Sequence, residues 1–177
     1  MRTAILLALC SASLTFAQSA GDTYDRSLKG PESEVVSLAE AMPESALNFV
    51  PKGDAFATSR TFAQQVKHIA YVNYMVAAAL LGEKNPSETG KNENGPNDVV
   101  TKAQVVKYLK DSFAYCHKAM ATITNANVME PVPDAFDAKR KTPRLAQANV
   151  ILWHTFDHYG QMVIYSRLNN VVPPASR

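Results

Sequence analysis

The chain has 177 residues, 46% of them hydrophobic and 19% charged, and a formal net charge of +2. That length suits a single domain able to bury a sizeable core without disulfide or metal staples. Seven glycines are few, which favours helices over a turn-rich β-fold, and no basic cluster interleaves with aromatics, which argues against a nucleic-acid partner.

Residues 1–17 read as a signal peptide. Arg2 supplies the positive start, Ala4 to Leu14 the apolar stretch, and Thr15-Phe16-Ala17 a small-x-small cleavage site. Cleavage after Ala17 is expected, with cleavage after Ala20 as the alternative, and the mature chain is expected in the periplasm or secreted. Leu9 before Cys10 is too bulky for a lipoprotein signal. Loss of the leader removes Arg2 and Cys10, leaving net charge +1 and Cys116 alone, with no internal disulfide. A single thiol on an apolar helix reads as core filler. No later stretch reaches 18 apolar residues, so no membrane insertion is expected after the leader is cut.

Residues 18–30 are polar and read as a flexible N-terminal segment. The bundle domain is expected over residues 31–172. Its first helix is predicted from Pro31, a good first-turn residue, to about Met42, where Pro43 stops it. The connection from Pro43 to Ser59 carries Leu47, Phe49, Val50 and Phe56, and should pack on the domain. Thr61 and Gln64 form a capping-box pattern opening a second helix that ends at Gly82. A loop rich in Asn, Gly and Pro follows over 83–98. A second capping box, Thr101 with Gln104, opens a third helix to about Ile123. Thr142-Pro143 places an N-cap before a first-turn proline, and the last helix runs to about Asn169 or Asn170. Four helices without strands predict an all-α four-helix bundle with long connecting loops.

His154 and His158 are four apart on the last helix, so both rings project from one face, about one turn apart. Ile151, Met162 and Tyr165 extend that face with largely apolar character, so it points inward or into a cleft. Core histidines satisfied by hydrogen bonds would give the same pattern. His68, which borders the apolar stripe of the second helix, adds a third inward imidazole. Three histidines on two core helices fit a bundle-core metal site, with imidazoles suiting Zn, Ni, Co or Fe(II). Three protein ligands leave a position open for water or substrate. Asp157 reads as exposed or as a supporting carboxylate, and His117 as a surface residue.

Two motifs carry a family resemblance. Arg60-Thr61-Phe62-Ala63-Gln64-Gln65-Val66-Lys67-His68-Ile69-Ala70 resembles the second-helix signature of DinB-like proteins. His154-Thr155-Phe156-Asp157-His158-Tyr159-Gly160-Gln161 resembles their last-helix signature, HxxxHxxQ, and the stretch from Met42-Pro43 to Phe49-Val50-Pro51 looks like the family's segment between its first two helices. The resemblance spans about residues 31–170. It implies a four-helix bundle, often a homodimer, binding one divalent metal ion, nickel or zinc, through His68, His154 and His158. It also implies thiol-dependent transferase or metal-dependent hydrolase chemistry, or a member with no known reaction.

Two readings of function follow. In one, the chain is a metal-dependent hydrolase, with Gln64, Tyr71, Asp157, Gln161 or Tyr165 orienting water or substrate; thiol transfer is its variant. In the other, it is a non-catalytic bundle that binds a metal or a small-molecule ligand.

Overall fold

The computed structural model describes residues 18–87, 89 and 92–177; residues 1–17, expected as a signal peptide, lie outside them. Four α-helices form the body: α1 (Ala20–Ala41), α2 (Phe62–Leu81), α3 (Lys102–Met120) and α4 (Arg144–Leu168). Both predicted capping boxes close: the Thr61 and Thr101 hydroxyls accept from the Gln64 and Gln104 amides, and each glutamine reaches back to the cap. Gly82 ends α2 at φ 68°, a left-handed conformation that glycine adopts without steric cost.

The first helix begins at Ala20, not at Pro31. Ser19 and Asp22 form a capping box there, and residues 20–30, expected as a flexible segment, are the first half of α1. Pro31 sits inside the helix and is buried; its packing offsets the lost backbone bond that makes interior proline costly. Leu28, Pro31, Val35, Leu38 and Met42 then share one buried face, the three-and-four spacing of an amphipathic helix. Gly21 fixes the new start against α3. A β-carbon on it would lie 2.3 Å from the Ile123 carbonyl oxygen, so only glycine permits this approach.

α1 and α2 each pack against both α3 and α4, so α1 and α2 occupy opposite corners of the bundle. A diagonal step cannot be made by a tight turn. The α1–α2 connection accordingly runs over 42–61 and packs on the body. Ala46 and Leu47 are buried, Phe49 meets Tyr165 edge to face at 5.9 Å, and only Phe56 turns outward. The α3–α4 connection folds into an antiparallel hairpin, β1 (Pro131–Pro133) with β2 (Lys141–Pro143). This hairpin departs from the strand-free expectation. Pro143 precedes α4 as its cap residue without a side-chain cap bond, and Thr142 belongs to β2. Among the described residues, no helix is long and apolar enough to cross a membrane.

Candidate metal centre

His68 lies midway along α2; His154 and His158 lie on the facing side of α4. All three are buried, and their potential ligand nitrogens lie within 4.8 Å of one another. Ring centroids are 5.0 Å apart for His68 and His154, 4.7 Å for His68 and His158, and 4.5 Å for His154 and His158. The one-turn spacing read from sequence therefore meets its third member across the bundle.

Hydrogen bonds set which nitrogens face inward. His68 Nδ1 is 2.7 Å from the Glu93 carbonyl oxygen, which only accepts, so Nδ1 carries the proton and Nε2 keeps its lone pair. His158 Nδ1 donates to Gln65 Oε1 at 2.6 Å, while Gln65 Nε2 donates to Gln161 Oε1 at 3.1 Å. His158 Nε2 is thereby also an electron-pair donor. His154 Nε2 stands 3.3 Å from His68 Nε2, and its buried Nδ1 has no hydrogen-bond partner among the described residues. One proton between His154 and His68 would satisfy a single lone pair. A divalent cation takes several at once, so the donor set fits one.

Electrostatics hold the cluster neutral. Burial, then the neighbouring His158 and His68, push the His154 pKa down to about 3; burial and His68 lower His158 to about 4. Burial also lowers His68, against the opposing bond to Glu93. The Arg60 guanidinium adds positive potential at all three. Desolvation dominates because a charged imidazole loses its hydration there.

The segment that supplies the Glu93 carbonyl is clamped to α2. Arg60 Nε donates to Asn94 Oδ1 at 2.8 Å and Arg60 Nη2 lies 3.3 Å from Glu93 Oε2. Lys67 Nζ, one residue before His68, donates to the Pro96 and Val99 carbonyls at 2.7 and 3.1 Å. Arg60, just before α2, and the adjacent Lys67 and His68 within it thus hold one loop in register with the site.

The supporting residues expected from sequence divide. Tyr71 lines the cleft beside His68 and His154. Gln161 reaches the site through Gln65. Asp157 is exposed and acts only by charge, raising His158 slightly against the other influences. Gln64 is taken up in the α2 cap. Tyr165 donates to the Arg60 carbonyl at 3.2 Å and bears on the site only through that turn. Gln65 and Glu93 were missed. Gln65, 2% exposed and three residues before His68, carried a readable signal as a polar side chain on an apolar helix face. Glu93 carried none, since its contribution is a loop carbonyl.

Two other reactive groups stand apart. Cys116 is fully buried, its Sγ 3.7 Å from the Asn73 carbonyl, and burial pushes its thiol well up; it is core filler. His117, expected at the surface, is partly exposed and there bridges Asp25 and Glu32 of α1 at 2.5 and 2.8 Å.

An all-helical bundle with three neutral imidazoles converging between two helices is a class of protein that could hold a divalent ion in its core. The family model of the DinB superfamily matches residues 28–162, and the chain belongs to that superfamily. Solved structures agree on the fold. A DinB-like protein from Bacillus cereus superposes with TM-score 0.69 at 14% identity, covering 89% of this chain and 97% of that one. A conserved protein from Enterococcus faecalis gives 0.68 at 16%, covering 86% and 98%. No curated protein matches the sequence.

Proposed function

We propose that this chain is an exported metal-dependent hydrolase that holds one nickel or zinc ion on His68, His154 and His158. The observation that carries the reading is the convergence of three buried, neutral imidazoles, two with their remaining nitrogen committed to a carbonyl-type acceptor. An ion there would act as a Lewis acid, polarising a carbonyl oxygen and acidifying water. The chain's own part is positional. Glu93 and Gln65 orient the rings, Arg60 and Lys67 hold the Glu93 loop, and a cleft at His68 and His154 admits a small ligand. Thiol transfer has less support, because it needs a low-molecular-weight thiol of the cytoplasm as co-substrate, and the proposed export would part the chain from that supply.

Export is proposed from the leader, and cleavage after Ala17 is supported by Ser19, which caps α1 and would be lost by cutting after Ala20. A homodimer packed along the outer face of α4 is proposed from Phe156, Ile164 and Leu168, exposed by 46%, 55% and 56%, an apolar stripe of the kind that marks interaction surfaces.

Elemental analysis of protein purified without an affinity tag tests the site: about one equivalent of metal is expected in wild type and little in His154→Ala. Absence of metal, before and after reconstitution, refutes it. Ester and lactone turnover equal in the two proteins favours the second reading, a non-catalytic metal- or ligand-binding bundle, for which the exposed position of Asp157 speaks.

A further inference from the structure

Beside the histidines opens a cleft of about 310 Å³, at the small end of the range for ligand pockets. His68 and His154 reach it at one side. Tyr71, Val72 and Met75 of α2 form one wall, and Ala135 and Phe136 from the tip of the β1–β2 hairpin form the other. Glu93 is the one residue with a carboxylate or cationic side chain among the described residues that line it, and that carboxylate is paired with Arg60.

Phe136 is 57% exposed, yet the turn that carries it is braced. Its amide donates to Asp134 Oδ1 at 2.9 Å, the Asp134 amide to the Arg140 carbonyl at 3.0 Å, and the Lys139 amide to Asp137 Oδ1 at 3.0 Å. The backbone thus fixes the turn from which Phe136 lines the cleft, with much of the residue left in water. On the other side of His154 the Trp153 ring, 51% exposed, stands edge-on at 5.8 Å.

From this lining we infer that the cleft receives a small uncharged molecule with an aromatic ring or compact acyl group, its apolar end between Met75 and Phe136 and its polar end toward His68 and His154. The volume excludes large ligands, and the walls reward apolar area removed from water. The Glu93 carboxylate is paired with the Arg60 guanidinium at 3.3 Å, so an ion of either sign entering the cleft would lose hydration without meeting a free counter-charge. With metal bound, a cationic ligand would besides bring its charge against the ion proposed for the histidines. The inference rests on the hydrolase reading for the chemistry done on the ligand, and on the cleft alone for the ligand's class.

Trp153 is the single tryptophan and its ring stands 5.8 Å from that of His154, so its fluorescence is one readout and titration calorimetry the second. The probes are benzamide, benzoate and benzylamine, three molecules of nearly one shape and three charges. Titrations are run first in chelator-treated protein, because a bound dication attracts benzoate whatever the walls prefer, and then with zinc. In the chelated protein benzamide should bind at least fivefold tighter than either ion. Phe136→Ala should weaken benzamide by about fivefold, the scale of one aromatic contact. Glu93→Gln, which frees the Arg60 guanidinium, should raise benzoate affinity about threefold relative to that of benzamide. Benzoate or benzylamine binding as tightly as benzamide, or benzamide indifferent to Phe136→Ala, overturns the inference. Zinc uptake without benzamide binding overturns it and spares the metal site. Benzamide preference without zinc uptake overturns the hydrolase reading and supports the cleft's selectivity.

Discussion

Replacing Gln65 by leucine tests how the metal centre is organised. The side chain is 2% exposed and leucine is close to it in size and slightly larger, so no cavity is opened. What disappears is the acceptor 2.6 Å from His158 Nδ1. In the metal-free protein that leaves a buried N–H unpaired, a cost of about 1–3 kcal/mol, and frees the proton to move to the nitrogen that faces the centre. Partners that orient metal-ligating histidines are worth roughly 10–100-fold in affinity, or about 1.4–2.7 kcal/mol at 1.36 kcal/mol per decade. Competition with a chromophoric chelator at pH 7.5 should show zinc affinity falling within that range. Gln65→Glu, which retains an acceptor, should bind zinc at least as tightly as wild type. Wild-type affinity in the leucine variant, or equal losses in both variants, would refute this account of the site.

Acid should weaken the metal-free fold. His154 and His158 have folded pKa values lowered to about 3 and about 4 from 6.5, so between pH 6.5 and about 4 the unfolded chain binds protons the folded one refuses. Stability is full above 6.5 and is lost as pH falls, by up to about 1.4 kcal/mol per pH unit for each group; urea midpoints across that range should flatten in a His154→Leu, His158→Leu double variant. His117 acts with the opposite sign. Burial pulls its pKa down, but its bonds and charge pairing with Glu32 and Asp25 prevail and raise it, so its contribution is complete below 6.5 and vanishes as pH rises through the raised value. His117→Ala should cost about 1–2 kcal/mol at pH 5.5, discounted because the group is partly exposed, and almost nothing at pH 9; equal costs at the two pH values would exclude the assignment. Gly21→Ala forces a β-carbon to 2.3 Å from the Ile123 oxygen and should destabilise by about 1–3 kcal/mol in urea unfolding. Light scattering of wild type should show a dimer and that of Ile164→Asp a monomer.

Much of the architecture could be read locally. Thr61 with Gln64, Thr101 with Gln104, and Gly82 declared helix ends because capping and left-handed glycine are properties of four or five neighbouring residues. The spacing of His154 and His158 likewise determined that their rings share a face, since helical geometry alone decides it. Local rules failed where packing outweighed them. Pro31 signals a helix start, yet it lies mid-helix because its ring is buried and Gly21 docks on α3. The three-residue strands at 131–133 and 141–143 are too short and proline-bounded to show a period.

Everything that depends on residues meeting from afar was left to the tertiary structure. His68 meets His154 across 86 positions, His158 meets Gln65 across 93, and His117 finds Asp25 across 92. Side-chain periodicity tells which way a residue faces, and so the sequence by itself determined that three imidazoles turn inward. Which side chain or carbonyl stands opposite depends on how the helices are ordered around the bundle, and only folding decided that.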